Sequence, residues 1–261
     1  MAPAEFSNLN FVQPFIVDEG PMRSLHFTLG ETQSTMHVDR PDELQIDYTR
    51  TMMGFLLLHP HPRRIAMVGL GGGSLVKFCR RHLPRARLVA VENNPGVLAL
   101  RRQFCIPDDD DRLSVVEDDG AVFVAGLHSV VDVLLVDAFD HAGQPQQLCT
   151  QAFYDSCYAA LAPGGVFAVN LHHDHPEYEL LLRRIGASFN GNAMQVVTGE
   201  QANCVVFARR GRPLSAEALR DRQWIRRVDD IARRQLSAEF AHIGWVARAL
   251  PGGAHTDDNT V

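Results

Sequence analysis

Residues 65–75 read IAMVGLGGGSL, an apolar run that passes directly into Gly69, Gly71, Gly72 and Gly73. The run predicts a buried strand. Glycine at its exit permits positive φ and lets a ligand press against bare backbone. In an open parallel sheet, ligands sit beyond the carboxyl ends of the strands, at the crevice where strand order reverses. A tight strand-to-helix turn that binds nothing would use the same glycines, so the motif has to be read with its neighbours.

Downstream of Arg64 the pattern alternates. Apolar runs occur at RIAMVGL, RLVAVE, RLSVVE, VDVLLVDA and GVFAVNL, with helical stretches beginning near Ser74, Pro95, Gly120 and Gln147. Continuous Val/Leu/Ile strands separated by helices indicate a parallel sheet covered on both faces. AMQVVTG and NCVVFARR read as a hairpin closing the sheet's edge. Upstream, PFIVDE, MRSLHFTL and QSTMHVD alternate apolar and polar residues between turn signals, which predicts a small antiparallel sheet unable to stand alone. One helix is expected over PDELQIDYTRTMMGFLLL, broken by HPHPRR. The amphipathic stretch after residue 212 predicts a helical lid or packing arm, its RRVDDIARR charges a solvated face and PGGAHTDDNTV a frayed end. The expected organisation is therefore an N-terminal sheet and helix at 1–58, an α/β domain at 59–212 and a helical arm at 213–261.

Composition narrows the function. The 261 residues are 46% hydrophobic, carry a net charge of −6 and contain no basic block, which argues against nucleic acid as partner. No apolar run is long enough to cross a bilayer, and MAPAEFSNLN lacks the cationic start and apolar core of a signal peptide. The 5 cysteines are scattered without CxxC spacing and read as reduced thiols of a cytoplasmic protein, Cys149 and Cys157 as packing residues of one helix.

Two further strand ends carry acids. Glu92 closes the second parallel strand, where a carboxylate can accept hydrogen bonds from ribose hydroxyls. Asp119-Gly120 follows the third, where the acid could accept from an adenine amino group and the glycine make room for the ring. Either acid could instead be a helix cap, Asp119 above all. A dinucleotide site would place pyrophosphate at the helix N-terminus, usually with G-x-G-x-x-G, but here the sixth position is Ser74. A sulfonium nucleoside needs only close backbone and acids for ribose and adenine. The pattern therefore points to an α/β, Rossmann-like doubly wound sheet of the class I methyltransferase type, preceded by the small antiparallel β-sheet.

After the fourth strand, LLVDAFDHAGQPQQL places Asp137 and Asp140 toward the same crevice. Such a pair can hold a cationic amine, and Asp137 can take the proton that an ammonium must lose before its nitrogen attacks carbon. The plain alternative is two solvated loop acids.

With these residues in place the chain resembles the spermidine synthase (polyamine aminopropyltransferase) family, from the N-terminal sheet through CVVFARR. Gln33, the helix around Tyr48 and HPHPRR are similar to the family's Gln strand, helix and His-Pro break. Gly69, Gly71 and Gly73, then Glu92, then Asp119-Gly120 match its glycine motif, ribose acid and adenine pair. Asp137, Asp140, GQPQQL and Phe153-Tyr154 resemble its D-x-x-D segment and the aromatic pair that follows, and LAPGGVFAVN its turn into the fifth strand. The resemblance implies aminopropyl transfer from decarboxylated S-adenosylmethionine to an amine such as putrescine, releasing 5′-methylthioadenosine. Asp137 would then be base and amine anchor, Asp140, Gln33 and Tyr48 substrate-binding, and the glycines, Glu92, Asp119 and Gly120 nucleoside-binding. It also implies a homodimer, with no tightly bound cofactor and no metal.

The departures fall on the amine side. Gly72 stands where the family's GGGDGG loop has the aspartate that holds the donor ammonium. Losing a charge-assisted hydrogen bond removes about 1.5–3 kcal/mol, or ~10–150-fold in affinity. It also removes an acid that would repel the carboxylate of ordinary S-adenosylmethionine. DYTR replaces the family's Tyr-His/Gln-Glu triplet with Tyr48 about one residue out of register, Arg50 would repel a polyamine if it pointed inward, and DAFDH lacks the family's hydroxyls and proline. Methyl transfer from S-adenosylmethionine to a small acceptor, or nucleoside binding without catalysis, are the alternatives. Elsewhere, His172, His173, Asp174 and His175 read as a polar loop before a metal site, PDDDDR at 107–112 as a solvated turn before a cation site, and Met52-Met53 as core or interface.

Overall fold

The apolar runs after Arg64 form the parallel part of one sheet in the computed structural model, which describes residues 11–140, 143–199, 203–220, 226 and 228–250. Its strands are β4 (Arg64–Val68), β5 (Arg87–Glu92), β6 (Leu113–Glu117), β7 (Val131–Val136), β8 (Leu161–His172), β9 (Ala193–Val197) and β10 (Asn203–Arg209). Their spatial order is β6-β5-β4-β7-β8-β10-β9. β4 and β7 run parallel, but the order in which strands are added reverses between them, because the chain lays β5 and β6 on one side of β4 and everything later on the other. The expected edge hairpin is present, β10 pairing antiparallel with both β8 and β9. A separate antiparallel sheet holds β1 (Phe15–Glu19), β2 (Met22–Thr28) and β3 (Glu31–His37).

Helices cover both faces of the large sheet, and β4 shows how one strand serves two cores. Ile65 and Met67 belong to an apolar cluster with Phe207 and Ile243, whereas Ala66 and Val68 face another with Tyr154 and Phe167. This is the period-2 alternation of a strand buried on both sides. The first cluster also takes in Leu25 and Met36 of the small sheet, so that sheet borrows its core from the larger one. Met52 and Met53 are buried in the same cluster.

Two local expectations change. The single helix expected over residues 41–58 is two short ones, α1 (Asp47–Met52) and α2 (Phe55–Leu58), with residues 41–46 non-helical. At the break, amides bond three residues back instead of four, Gly54 to the Thr51 carbonyl and Leu57 to that of Gly54, and Gly54 packs so closely that a Cβ there would lie 2.5 Å from Ile243 Cδ1 and 2.8 Å from Phe207 Cζ. The helices after β4, β5 and β6 are α3 (Ser74–His82), α4 (Pro95–Ala99) and α5 (Gly120–Ala125). Cys149 and Cys157 do not share a helix. Cys149 ends a 3₁₀ turn, Gln146–Cys149, and Thr150 then caps α6 (Gln151–Ala160), its hydroxyl accepting from the Phe153 amide at 3.1 Å. Both cysteines are buried, as the packing reading required. The 107–112 turn is knitted by its acids: Asp109 pairs with Arg101, and Asp110 accepts from the Arg112 and Leu113 amides.

After α7 (Tyr178–Ser188), the C-terminal stretch forms α8 (Ala216–Arg220) and α9 (Asp230–Val246). Its behaviour is that of a packing arm. Gln235 Oε1 accepts from the Leu44 amide at 2.9 Å, Glu239 Oε2 accepts from the Thr51 hydroxyl at 2.8 Å, and Leu236, Phe240 and Ile243 are buried. The expectations for MAPAEFSNLN and PGGAHTDDNTV lie outside the described residues. Ile243→Ala should lower the unfolding free energy by about 2–5 kcal/mol through a lost core side chain and the cavity it leaves. A urea titration checks this: the midpoint falls at unchanged slope if the arm is core, and stays put if the arm is a lid.

Candidate functional site

The glycine loop leaves β4 at the reversal point and borders a cavity of about 320 Å³. Val68 pairs with Val91 of β5 and Val136 of β7, so these strands end nearly flush and present their exits to one space. Gly69 has φ +91°, and a Cβ there would fall 2.1 Å from the Asp137 carbonyl oxygen. Only glycine lets β4 exit this close to β7. Gly71 (φ +52°) lines the cavity, and the nearest atom to a Cβ added there would be Ser34 Cβ at 3.9 Å. Gly73 instead packs against Ile106 as the residue before α3 and does not line the cavity.

Glu92, at the end of β5, reaches the cavity with both oxygens tethered: Oε2 accepts from the Leu70 amide at 3.0 Å and Oε1 from the Asn94 amide at 2.9 Å. Burial pushes its carboxyl above the ordinary value, and these amides pull it back. Asp119 has the capping duty that the sequence left open. Its Oδ1 accepts from the Ala121 and Val122 amides at 2.8 and 3.0 Å, and Oδ2 from Gln147 Nε2 at 3.2 Å. The residues that line the cavity here are Asp118 and Gly120. Gly120 sits so tightly on Val68 that a Cβ would be 2.4 Å from its Cγ1.

Asp137 follows β7 and carries the most distinctive geometry. Tyr48 on α1 donates to its Oδ2 at 3.1 Å, and Asn170 Nδ2 on β8 donates to its Oδ1 at 3.0 Å. Burial raises the Asp137 pKa to about 6, against the pull of these two donors. Burial and the neighbouring carboxylate push the Tyr48 phenol well above its usual value, so it remains a donor at neutral pH. Asp140, Gln33 and Tyr48 all line the same cavity. Arg50 does not: its guanidinium donates to the Leu44 carbonyl at 2.6 Å and pairs with Asp47. His172 stacks on Phe139 of the cavity wall, ring centroids 4.4 Å apart, and the His173 ring packs on Tyr178.

The sequence reading passed over Asp118, Ser34, Asn170 and Asn203. Asn170 had a signal, a lone amide inside the apolar GVFAVNL run, where a buried polar group demands a partner. Gly72 faces Ser34 and Phe104. A Cβ added there would lie 2.6 Å from the serine Oγ and 2.9 Å from a phenylalanine ring carbon.

Known structures share this architecture. Human methyltransferase-like protein 13 in complex with SAH matches with a TM-score of 0.59 at 22% identity, covering 82% of this chain and 98% of that one. A spermidine synthase in complex with the transition state analogue AdoDATO matches with a TM-score of 0.62 at 22% identity, covering 92% and 86%. The large sheet and its helices thus have the methyltransferase-like fold, and the small antiparallel sheet precedes them. Sequence sharpens the class: residues 45–198 match the spermine/spermidine synthase domain. The polyamine aminopropyltransferase of Chromobacterium violaceum is 39% identical over 210 residues, 79% of this chain and 80% of that protein. This chain belongs to the spermine/spermidine synthase family and is a transferase of that family.

The raised pKa of Asp137 has a stability signature. Its folded value of about 6 exceeds the ordinary aspartate value of 3.8, so between these pH values the folded state holds a proton that the unfolded chain releases. Stability contributed by this group is therefore present at low pH and lost as pH rises to about 6. Asp137→Asn should gain on the native protein across that window, by up to roughly 3 kcal/mol. Urea unfolding of both proteins at pH 4 and pH 8 measures it; a pH-independent difference would show that Asp137 is not buried as described.

Proposed function

We propose that this enzyme transfers an aminopropyl group from decarboxylated S-adenosylmethionine to an amine such as putrescine, releasing 5′-methylthioadenosine. The observation that carries this reading is the charge of the cavity. Glu92, Asp118, Asp137 and Asp140 line it, and no lysine, arginine or histidine does among the described residues. Such a cavity favours a cationic donor and a cationic acceptor. The relationship to polyamine aminopropyltransferases supports the same chemistry.

In this reading Glu92 takes the ribose hydroxyls, its position locked by two backbone amides. Gly69 and Gly71 let the nucleoside approach, Gly73 sets the start of α3, and Gly120 clears space for adenine. Asp119 holds α5 in place, and Asp118 supplies the adenine-side carboxylate assigned to Asp119 from sequence. Gln33, Tyr48 and Asp140 contact the chains of donor and acceptor. Asp137 accepts one proton from the acceptor ammonium. The freed lone pair then forms the new N–C bond at the methylene beside the sulfonium. The C–S bond breaks with its electron pair passing to sulfur, leaving a neutral thioether and a secondary ammonium product. No metal or tightly bound cofactor is required by these steps. A cytoplasmic setting and a homodimer belong to the same reading, on the family resemblance.

Gly72 favours a second reading, methyl transfer from S-adenosylmethionine. The space beside it holds a serine hydroxyl and a phenylalanine ring, and so offers no carboxylate to repel the donor's own.

Calorimetry with methylthioadenosine, S-adenosylmethionine and its decarboxylated form ranks the donors, and silence from all three at millimolar concentration overturns both readings. Product analysis with putrescine separates turnover from binding alone. Asp137→Asn should lower transfer by ~10²-fold or more, in the range of a lost general base, while nucleoside affinity stays within a few-fold. The native rate should fall tenfold per pH unit below about 6, where Asp137 becomes protonated.

A further inference from the structure

We propose that Asn203 is a positioning residue for this site, acting through Asn170 to fix which face of an amide is presented to Asp137. The proposal rests on Asp137 being the base, and it adds two residues from the far side of the sheet.

The register makes the chain of contacts inevitable. Val136 of β7 pairs with Val169 of β8, so the next residues, Asp137 and Asn170, lie side by side. Asn170 pairs with Val205 of β10, and Asn203, two positions away, projects from the same face. Asn203 Nδ2 donates to Asn170 Oδ1 at 3.0 Å, and Asn170 Nδ2 donates to Asp137 Oδ1 at 3.0 Å. Asn170 is 1% exposed and Asn203 6%. Beyond them the Asn203 carbonyl accepts from the Thr198 amide and hydroxyl at 3.1 and 3.2 Å, which ties the relay to the β9–β10 connection.

An amide has a donor end and an acceptor end of nearly the same shape, so its orientation is set by its partners. Asn203 occupies the acceptor end of Asn170 with a donor, leaving the NH₂ end for Asp137. In the opposite orientation a carbonyl oxygen would face the carboxylate, and the ionised base would lose one of its two side-chain donors. Asn203 therefore keeps Asp137 able to ionise and keeps its Oδ1 lone pairs aimed. Among the described residues, the other titratable groups around Asp137 are Tyr48 on α1, Asp140 on the same loop, Glu92 and Asp118 at the ends of β5 and β6, and His172 beyond Asn170. Tyr48 is the one that bonds Asp137 directly, and the variants below leave all five in place.

The test reads Asp137 itself. With ¹³C-carboxyl-labelled aspartate, the Asp137 resonance is assigned by its absence in Asp137→Asn and titrated in the native protein, Asn203→Ala and Asn203→Asp. Asn203→Asp preserves shape but accepts from Asn170, which turns that amide's oxygen toward Asp137. The expected result is an upward shift of the Asp137 midpoint, by about one pH unit for Asn203→Asp and less for Asn203→Ala. The acidic limb of the transfer rate should move with it, at unchanged methylthioadenosine affinity. Because Asn203→Asp also brings a buried carboxylate whose charge raises the midpoint by itself, Asn203→Ala is the deciding variant, and an unmoved midpoint in that folded protein overturns the proposal. A midpoint that moves while the rate profile does not overturns Asp137 as the base and leaves the relay standing. If Asn203→Asp fails to fold, Asn203→Ala and Asn170→Ala decide the matter by the same titration, the latter expected to shift the midpoint at least as far as the former.

Discussion

The close approach of two strand exits sets the geometry of everything else. Gly69 donates its amide to Val91 of β5 and Asp137 donates its own to Val68 of β4, each at 2.9 Å. The three central strands thus remain bonded up to their last residues. Any side chain at position 69 would collide with the Asp137 carbonyl. Because that contact is bare backbone, the chain turns away from β4 without a spacer, Asp137 sits at the cavity's edge, and the flush β7–β8 pairing brings Asn170 beside it. The cavity is a consequence of strand register before it is a consequence of any one side chain.

Two buried carboxylates on this edge are held differently. Glu92 is held by backbone amides of the glycine loop and of its own turn, donors that cannot rotate away or titrate. Such an acid serves as a fixed acceptor. Asp137 is held by two side chains, a phenol that stays protonated and an amide whose orientation depends on a third residue. Burial brings its midpoint near 6, close enough to neutrality for proton exchange with an amine. Pairs of acids whose surroundings push their behaviour apart mark the division of labour in a site.

The loop wall at Gly72 is closely packed. Ser34 and Phe104 close over it, so placing an acid there would require the serine and the ring to move. Arg50, which could have spoiled a cation site, is instead spent on the Leu44 carbonyl and Asp47 outside the cavity. The acidity of the cavity is carried by Glu92, Asp118, Asp137 and Asp140, in the exits of three strands.

The sequence alone determined the sheet, its order of strands and helices, the glycine loop and the acids at successive strand ends. These are written in local signals: apolar runs, their period, and residues whose φ or charge suits a strand exit. It also assigned Asp119 to the adenine side while allowing that an acid at that place could cap the next helix, since both duties call for the same residue type. Tertiary structure gives Asp119 the cap, with Gln147 donating to its second oxygen, and sets Asp118 and Gly120 along the cavity. It alone split the 41–58 helix, at a turn around Met53 and Gly54 where amides bond three residues back instead of four. And it alone revealed the Asn203–Asn170–Asp137 relay, for a hydrogen bond across three strands depends on register, and register is a property of the assembled sheet that no stretch of chain carries by itself.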